Sequence, residues 1–314
     1  MIKYIFKRFF FALFNVFFIM SSIFIFTLFI SISQRMRFTP FFDRISIVWI
    51  QYKNYLNGII KDWYWGRSHI AQGNVWYAVV PKIKITVIIN LIAFFIYTIV
   101  GIILGIITAF HKNRPLDYLI GNVALLFNSL PSFILIFLLV ILLGYTFKIF
   151  PPLHLSKIYG YKKYYLSYAI PMLALVLPQI GYICQLVRGE VSEIIKADYM
   201  LLVRVKGLSK FQGLMRHGFR NVLVAILPSL STTFTSVITS SMFIERVSNI
   251  PGLALLFFES LIDERPDGFY LVPDIPLLVL VCGIYSLLIF GINFIIDVLY
   301  RVLDPSMKIG SKKI

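Results

Sequence analysis

Stretches of about twenty residues with almost no charge constrain this chain more than anything else in it. "LFNVFFIMSSIFIFTLFISI" ends at Ile32, and "INLIAFFIYTIVGIILGIITAF" ends at Phe110. A bilayer core of roughly 30 Å takes about 20 helical residues. In lipid, a helix meets all of its own backbone hydrogen-bonding needs. Only 14% of the residues are charged and 59% are hydrophobic, against about 25% charged in soluble domains. The chain reads as an all-α, polytopic membrane protein.

Six spans are expected, at about 9–32, 85–110, 118–145, 166–187, 222–244 and 275–300. The basic start "MIKYIFKRFF" resembles a signal-peptide n-region, but the apolar run behind it is too long for an h-region and no small-residue cleavage site follows. We read it as an uncleaved first helix. The third span carries a break signal at "NSLPS", and the fourth contains Pro171 and Pro178. Proline within a membrane helix is tolerated where neighbours re-satisfy the freed carbonyls, so these prolines point to a bundle interior.

A formal charge of +16 raises nucleic acid as a partner. The basic residues instead sit in loops and helix flanks, as anionic headgroups and the positive-inside rule place them, so no nucleic-acid partner is expected and membrane lipid is. With the N-terminus inside, the cytoplasmic pieces hold 16 of the 30 Lys and Arg, which predicts a multi-pass protein of the cell membrane with both termini cytoplasmic. The outer segment 33–84 contains all four tryptophans and one amphipathic stretch, "FFDRISIVWIQYKNYLNGII". It either anchors at the headgroup layer or meets an external partner.

Several chemistries are missing from the residue pattern. No G-x-x-x-x-G-K-[ST] motif cradles phosphate, and the four histidines and two cysteines lack metal-ligand spacing. No span carries a charge near its centre, as ion-coupled carriers usually require. No nucleophile–base pair lies within the spans. We expect a non-enzymatic chain with no cofactor, no metal and no catalytic residue. The fifth span is instead dense in hydroxyls: Ser231, Thr232, Thr235, Ser236 and Thr239 stand out. They either bond their own helix carbonyls and pack helices closely or line a wet, uncharged passage, which Asn128, Ser129 and Ser132 of the third span would also suit.

One segment, 188–221, breaks the apolar pattern. It holds seven Lys or Arg, and burying those would cost on the order of 15 kcal/mol or more, so it is cytoplasmic. Asp198 can cap a helix running through Arg204 and Lys206, and Gly207 supplies a left-handed stop. "SKFQ" is a capping box, Ser209 with Gln212, that opens a second helix toward Asn221. Leu201, Leu202, Val203, Leu208, Phe211 and Leu214 give this helix–turn–helix an apolar stripe, either for docking a partner or for folding back on the protein's own helix ends.

The stretch "ADYMLLVRVKGLSKFQGLMRHGFRN" resembles the cytoplasmic EAA loop of binding-protein-dependent ABC importer permeases. It is most similar to the oligopeptide/dipeptide/nickel branch. Asp198, Tyr199, Arg204, Lys206, Gly207, Leu208, Ser209, Arg216, His217, Arg220 and Asn221 carry the match. "PGLALL" at Pro251, "DERPD" at Asp263 and "DVLYRVLDPSMKIG" at Asp297 resemble further family motifs in order. Leu202 and Val203 replace small residues, the outer segment is short, and the proline after Asn221 comes late, at Pro228.

The resemblance implies a type I ABC importer-like fold with a cytoplasmic coupling helix–turn–helix formed by the matched residues. It also implies a homologous second permease subunit, two ATP-binding subunits that hydrolyse the ATP, and an extracytoplasmic substrate-binding protein delivering peptide. A nickel or metal–chelator importer is the alternative within the family, and a stand-alone pore or ion-coupled carrier is the alternative outside it.

Overall fold

The computed structural model describes residues 2–35, 39–261, 263–265, 268–270 and 273–303. The closing motif from 304 on, positions 266–267 of "DERPD" and the side chain of Arg204 lie outside the described residues. The helices are α1 Ile2–Arg35, α2 Phe41–Asp62, α3 Val75–Phe110, α4 Pro115–Ser129, α5 Ser132–Leu139, α6 Tyr161–Leu166, α7 Ala169–Ile194, α8 Asp198–Val205, α9 Lys210–Gly213, α10 Phe219–Val247, α11 Leu253–Glu259 and α12 Ile275–Leu303. Two short antiparallel hairpins join them, β1–β2 at Arg67–Ser68 and Gly73–Asn74, and β3–β4 at Asp263–Arg265 and Gly268–Tyr270. Among the described residues, five helical runs are long and apolar enough to cross a membrane, and six if the bent α4–α5 pair forms one span.

The chain divides into two compact units, 1–88 with 249–291 and 89–248 with 292–314. In the first, Phe24, Leu28 and Ile32 recur every four residues along α1 and bury against Val48 and Tyr52, four apart on α2, with Val279. The Tyr52 hydroxyl donates to Ser21 Oγ at 2.7 Å, and the Phe24 and Tyr55 rings stack at 4.5 Å. The amphipathic stretch thus forms a helix, and it leaves Phe42, Trp49 and Ile50 exposed. Trp63 ends α2 in the left-handed region, φ 50°. Buried Asp274 then ties the β1–β2 hairpin to the start of α12. It accepts hydrogen bonds from Ser68 Oγ, the His69 and Ile70 amides, and the Leu277 amide.

In the second unit α7 is the central helix. A Cβ on Gly101 would meet Ile183 at 2.8 Å, and one on Gly105 would meet Val187 at 2.6 Å. "GIILG" on α3 therefore seats the i, i+4 ridge of α7 directly against backbone, the small-xxx-small mode of membrane helices. Gly181 of α7 lies against the Ala124 carbonyl of α4. Gly181→Ala is expected to lower stability by about 1–3 kcal/mol through overpacking. A melting curve of the purified protein tests this, and an unchanged Tm would mean that α4 can yield. Pro171 and Pro178 are both buried, as their interior placement requires.

The break expected at "NSLPS" is present, and several helix boundaries differ from the sequence reading, α3 beginning at Val75 and not at about 85. The third span is a broken helix, with α4 and α5 meeting at 105°. Leu130 and Pro131 are extended there, because proline disfavours a helical residue before it, and α5 runs on as a π-helix, Val140–Thr146. The fourth span continues past Val187 to Ile194, so Arg188 lies on the span helix and not in the cytoplasmic loop. The fifth does not begin at Val222. One helical run extends from Lys210 to Val247, with a π-turn at Leu214–Gly218 joining α9 to α10. Nothing in the sequence stops a helix at Asn221, since neither glycine nor proline follows it before Pro228.

Candidate functional site

Along α10, Thr232, Ser236, Thr239 and Phe243 recur at four, three and four residues, which places them on one helical face, and all four are exposed in the chain. Thr235 and Thr239 hydroxyls donate to the carbonyls of Ser231 and Thr235, at 3.1 and 2.9 Å. Each hydroxyl spends its proton on its own helix and keeps lone pairs for another donor. The Ser231 hydroxyl donates to Asn293 Oδ1 at 2.6 Å.

This face and the α4–α5 break line an open cavity of about 930 Å³, near the upper end of the ~300–1,000 Å³ of ligand pockets. Asn128, Ser129, Ser132, Ser231, Thr232, Thr235, Ser236 and Thr239 all line it. The hydroxyls thus do two things that looked like alternatives: they bond their own carbonyls and they line a cavity. The sequence reading missed Gln179, Tyr182 and Asn293, which also line it, as does Ser240 of the same hydroxyl-rich span. Gln179 follows Pro178, itself on the wall, so that in-span proline was the available signal. No Asp, Glu, Lys, Arg or His is among the lining residues. Phe133 and Phe243 narrow one part of it, their rings 6.3 Å apart.

The 198–221 segment folds as helix, turn, helix. Gly207 has φ +81°, and the Leu208 amide reaches back to the Val203 carbonyl at 3.4 Å, the six-to-one bond of a Schellman stop. Ser209 Oγ accepts from the Gln212 amide at 3.2 Å, and Gln212 Oε1 accepts from the Ser209 amide at 3.1 Å. Asp198 sits in the first turn of α8.

The apolar stripe divides. Val203 and Leu214 are buried, as is Met200, which packs with Val203 against Gly213, while Leu201, Leu202 and Phe211 stay exposed, as does neighbouring Val205. Among the matched residues, Lys206, Arg216 and His217 are exposed and Leu208 is half-buried. Two others are held within the unit. Arg220 donates twice to the Leu303 carbonyl, at 3.0 and 2.8 Å. Asn221 Nδ2 donates to the Tyr199 hydroxyl at 3.4 Å.

A pair absent from the sequence reading lies close to the hairpin in the chain. Arg188 Nε and Nη2 grip Asp117 Oδ1 and Oδ2 at 2.6 and 2.7 Å, and the Asn113 amide donates to the same carboxylate at 2.9 Å. Asp117 is 2% exposed and Arg188 36%. The pair fastens the first turn of α4 to α7 at Arg188, upstream of the start of α8 at Asp198.

The family described as "Binding-protein-dependent transport system inner membrane component" matches residues 101–309, a stretch that takes in the cavity, the hairpin and the ion pair. The chain belongs to this family. As a permease of that family it is a multi-pass membrane protein. It is 31% identical to the dipeptide transport system permease protein DppB of Bacillus subtilis, over 71% of this chain and 68% of that one. It is 30% identical to the oligopeptide transport system permease protein OppB of Escherichia coli, over 69% and 66%. A chain of the MetNI methionine ABC transporter, solved in inward-facing conformations, shares the fold with this permease. The TM-score is 0.57 at 14% identity, covering 73% of this chain and 97% of that one.

Proposed function

We propose that this permease forms half of the path of an ATP-driven peptide importer. A homologous permease supplies the other half, two ATP-binding subunits dock on α8–α9 from the cytoplasm, and an extracytoplasmic binding protein delivers the peptide. Both termini are then cytoplasmic. The observation that carries this reading is the helical run from Lys210 to Val247, about 57 Å at 1.5 Å per residue. It bears the capped hairpin at one end and the hydroxyl face of the cavity along its length. Nucleotide-driven movement of the hairpin would tilt the wall of the path through this one continuous helical run, a rigid-body mode of alternating access.

The chemistry of the wall favours peptide. Hydroxyls and amides can exchange hydrogen bonds with successive backbone amides, and an uncharged wall holds no side-chain charge in place. A bare metal ion would meet no carboxylate, imidazole or thiolate among the lining residues. No bond is made or broken in this chain on this reading.

Reconstitution of the permease with its genomic neighbours in vesicles tests it. Peptide uptake is expected only with ATP, binding protein and both permeases. Uptake by this chain alone would establish a stand-alone pore or carrier instead. Ser236→Trp, which places an indole on the exposed cavity face, is expected to cut uptake by about tenfold or more while the complex still hydrolyses ATP. Wild-type uptake in that variant would exclude the cavity from the path.

A further inference from the structure

The exposed face of α10 does not end where the cavity does. Between 228 and 247 the exposed residues are Pro228, Thr232, Ser236, Thr239, Phe243 and Arg246. At about 3.6 residues per turn, all six fall within an arc of about 80°. Thr232, Ser236, Thr239 and Phe243 line the hydroxyl cavity. Arg246 follows Phe243 by three residues, so the two side chains are neighbours on the helix surface. It lies in the last turn of α10, the end away from the hairpin.

A cation in the last turn suits the helix dipole, but two observations give this one more to do. The cavity wall holds no Asp, Glu, Lys, Arg or His, so Arg246 is the first charge met on this face beyond Phe243. Its guanidinium also makes no hydrogen bond or ion pair with the described residues. Glu245, the acid beside it in sequence, is buried off this face.

What such a group would meet follows from the importer reading, on which this inference rests. A peptide arrives from this end of α10 and carries a terminal carboxylate. Phe133 and Phe243 narrow the cavity here, their rings 6.3 Å apart, and apolar surroundings strip water from an anion at a cost. A guanidinium is always charged. It offers a carboxylate two parallel N–H donors, which offset that loss and favour one geometry.

We propose that Arg246 is a specificity-determining residue of the path. At the outer rim, beside Phe243, it pairs with the C-terminal carboxylate of the incoming peptide. Peptides with a free C-terminus are thereby favoured over their C-terminal amides. The backbone of the peptide is left to the hydroxyls and carboxamides of the wall.

Vesicles bearing the whole importer test this, with a tripeptide whose free acid and C-terminal amide are both held by the isolated binding protein. ATP-dependent uptake of the free acid by wild type is the check on the importer reading. Its absence would overturn that reading and this site together. Arg246→Gln is expected to slow uptake of the free acid about tenfold and to leave the amide unchanged, with ATP hydrolysis retained. Arg246→Lys keeps the charge without the fork and should recover roughly half of the wild-type rate. Arg246→Cys should match the glutamine variant. On that thiol a methanethiosulfonate reagent that adds an aminoethyl group should restore uptake of the free acid, and one that adds a sulfonatoethyl group should not. Wild type treated alike controls for Cys184 and Cys282. If wild type transports, free-acid uptake by Arg246→Gln at the wild-type rate would overturn this site alone, as would two adducts that act alike. An equal loss for acid and amide would also overturn it, assigning Arg246 to the helix end or to lipid headgroups.

Discussion

Substrate uptake is expected to fall to background when Gly207 becomes proline, while the protein still inserts and accumulates normally. Gly207 sits at φ +81°, and among the described residues none beyond its chain neighbours comes within 4 Å of where a Cβ would point. Side-chain bulk is therefore harmless there, and backbone conformation alone decides the effect. Proline fixes φ near −65°, so the turn between α8 and α9 cannot form and Ser209 no longer sits ahead of Lys210 as its cap. A graded series separates this from general damage. Asparagine tolerates the left-handed region, so Gly207→Asn should retain most uptake. Gly207→Ala, with about 1–2 kcal/mol of left-handed strain, should fall between them. Uptake assays on inverted or intact vesicles, normalised to protein in the membrane, give the order Asn, Ala, Pro. If the proline variant transports as well as wild type, the hairpin geometry has no part in coupling.

Short-range features of this molecule were legible because their physics is local. The Gly207 stop, the Ser209–Gln212 box and the break at Pro131 each depend on a few consecutive residues. The hydroxyl face of α10 was legible because helical period places Thr232, Ser236 and Thr239 together whatever surrounds them. Pairings between distant segments were not. Asp117 and Arg188 are 71 residues apart, and a lone charge beside an apolar run reads as a loop residue until its partner is known. That reading shortened the fourth span by about two turns and moved Arg188 into the cytoplasmic loop. Charge density near Arg216 and Arg220 had the same effect on the fifth span, hiding the continuity through the π-turn. The contact of Gly101 and Gly105 with α7 is a different omission, since their spacing was visible in the sequence and only its target needed the structure. In the outer segment, Trp63, Trp65 and Trp76 pack on one another, which composition alone could not distinguish from three separate interfacial anchors.

The ion pair itself gives the second large effect. Arg188→Met leaves the Asp117 carboxylate, 2% exposed, with the Asn113 amide, the charge of Lys112 and the start of α4 to stabilise it. Removing one partner of a buried pair destabilises by about 3–5 kcal/mol. The low end applies here, because Arg188 keeps about a third of its surface exposed and part of its charge is already screened. Asp117→Asn/Arg188→Met removes both charges and should recover most of that loss, since the penalty belongs to the orphaned carboxylate more than to the missing bond. The swap Asp117→Arg/Arg188→Asp should recover less. It sets a guanidinium against the Asn113 amide at the N-terminal end of α4, where a cation is unfavourable. A double-mutant cycle on thermal stability in detergent measures the coupling. A single variant as stable as wild type would show that the pair contributes nothing to the fold. A neutral double variant that is fully stable yet fails to transport would instead assign the pair to motion, as the clamp that holds α4 to α7 while the adjoining hairpin is driven.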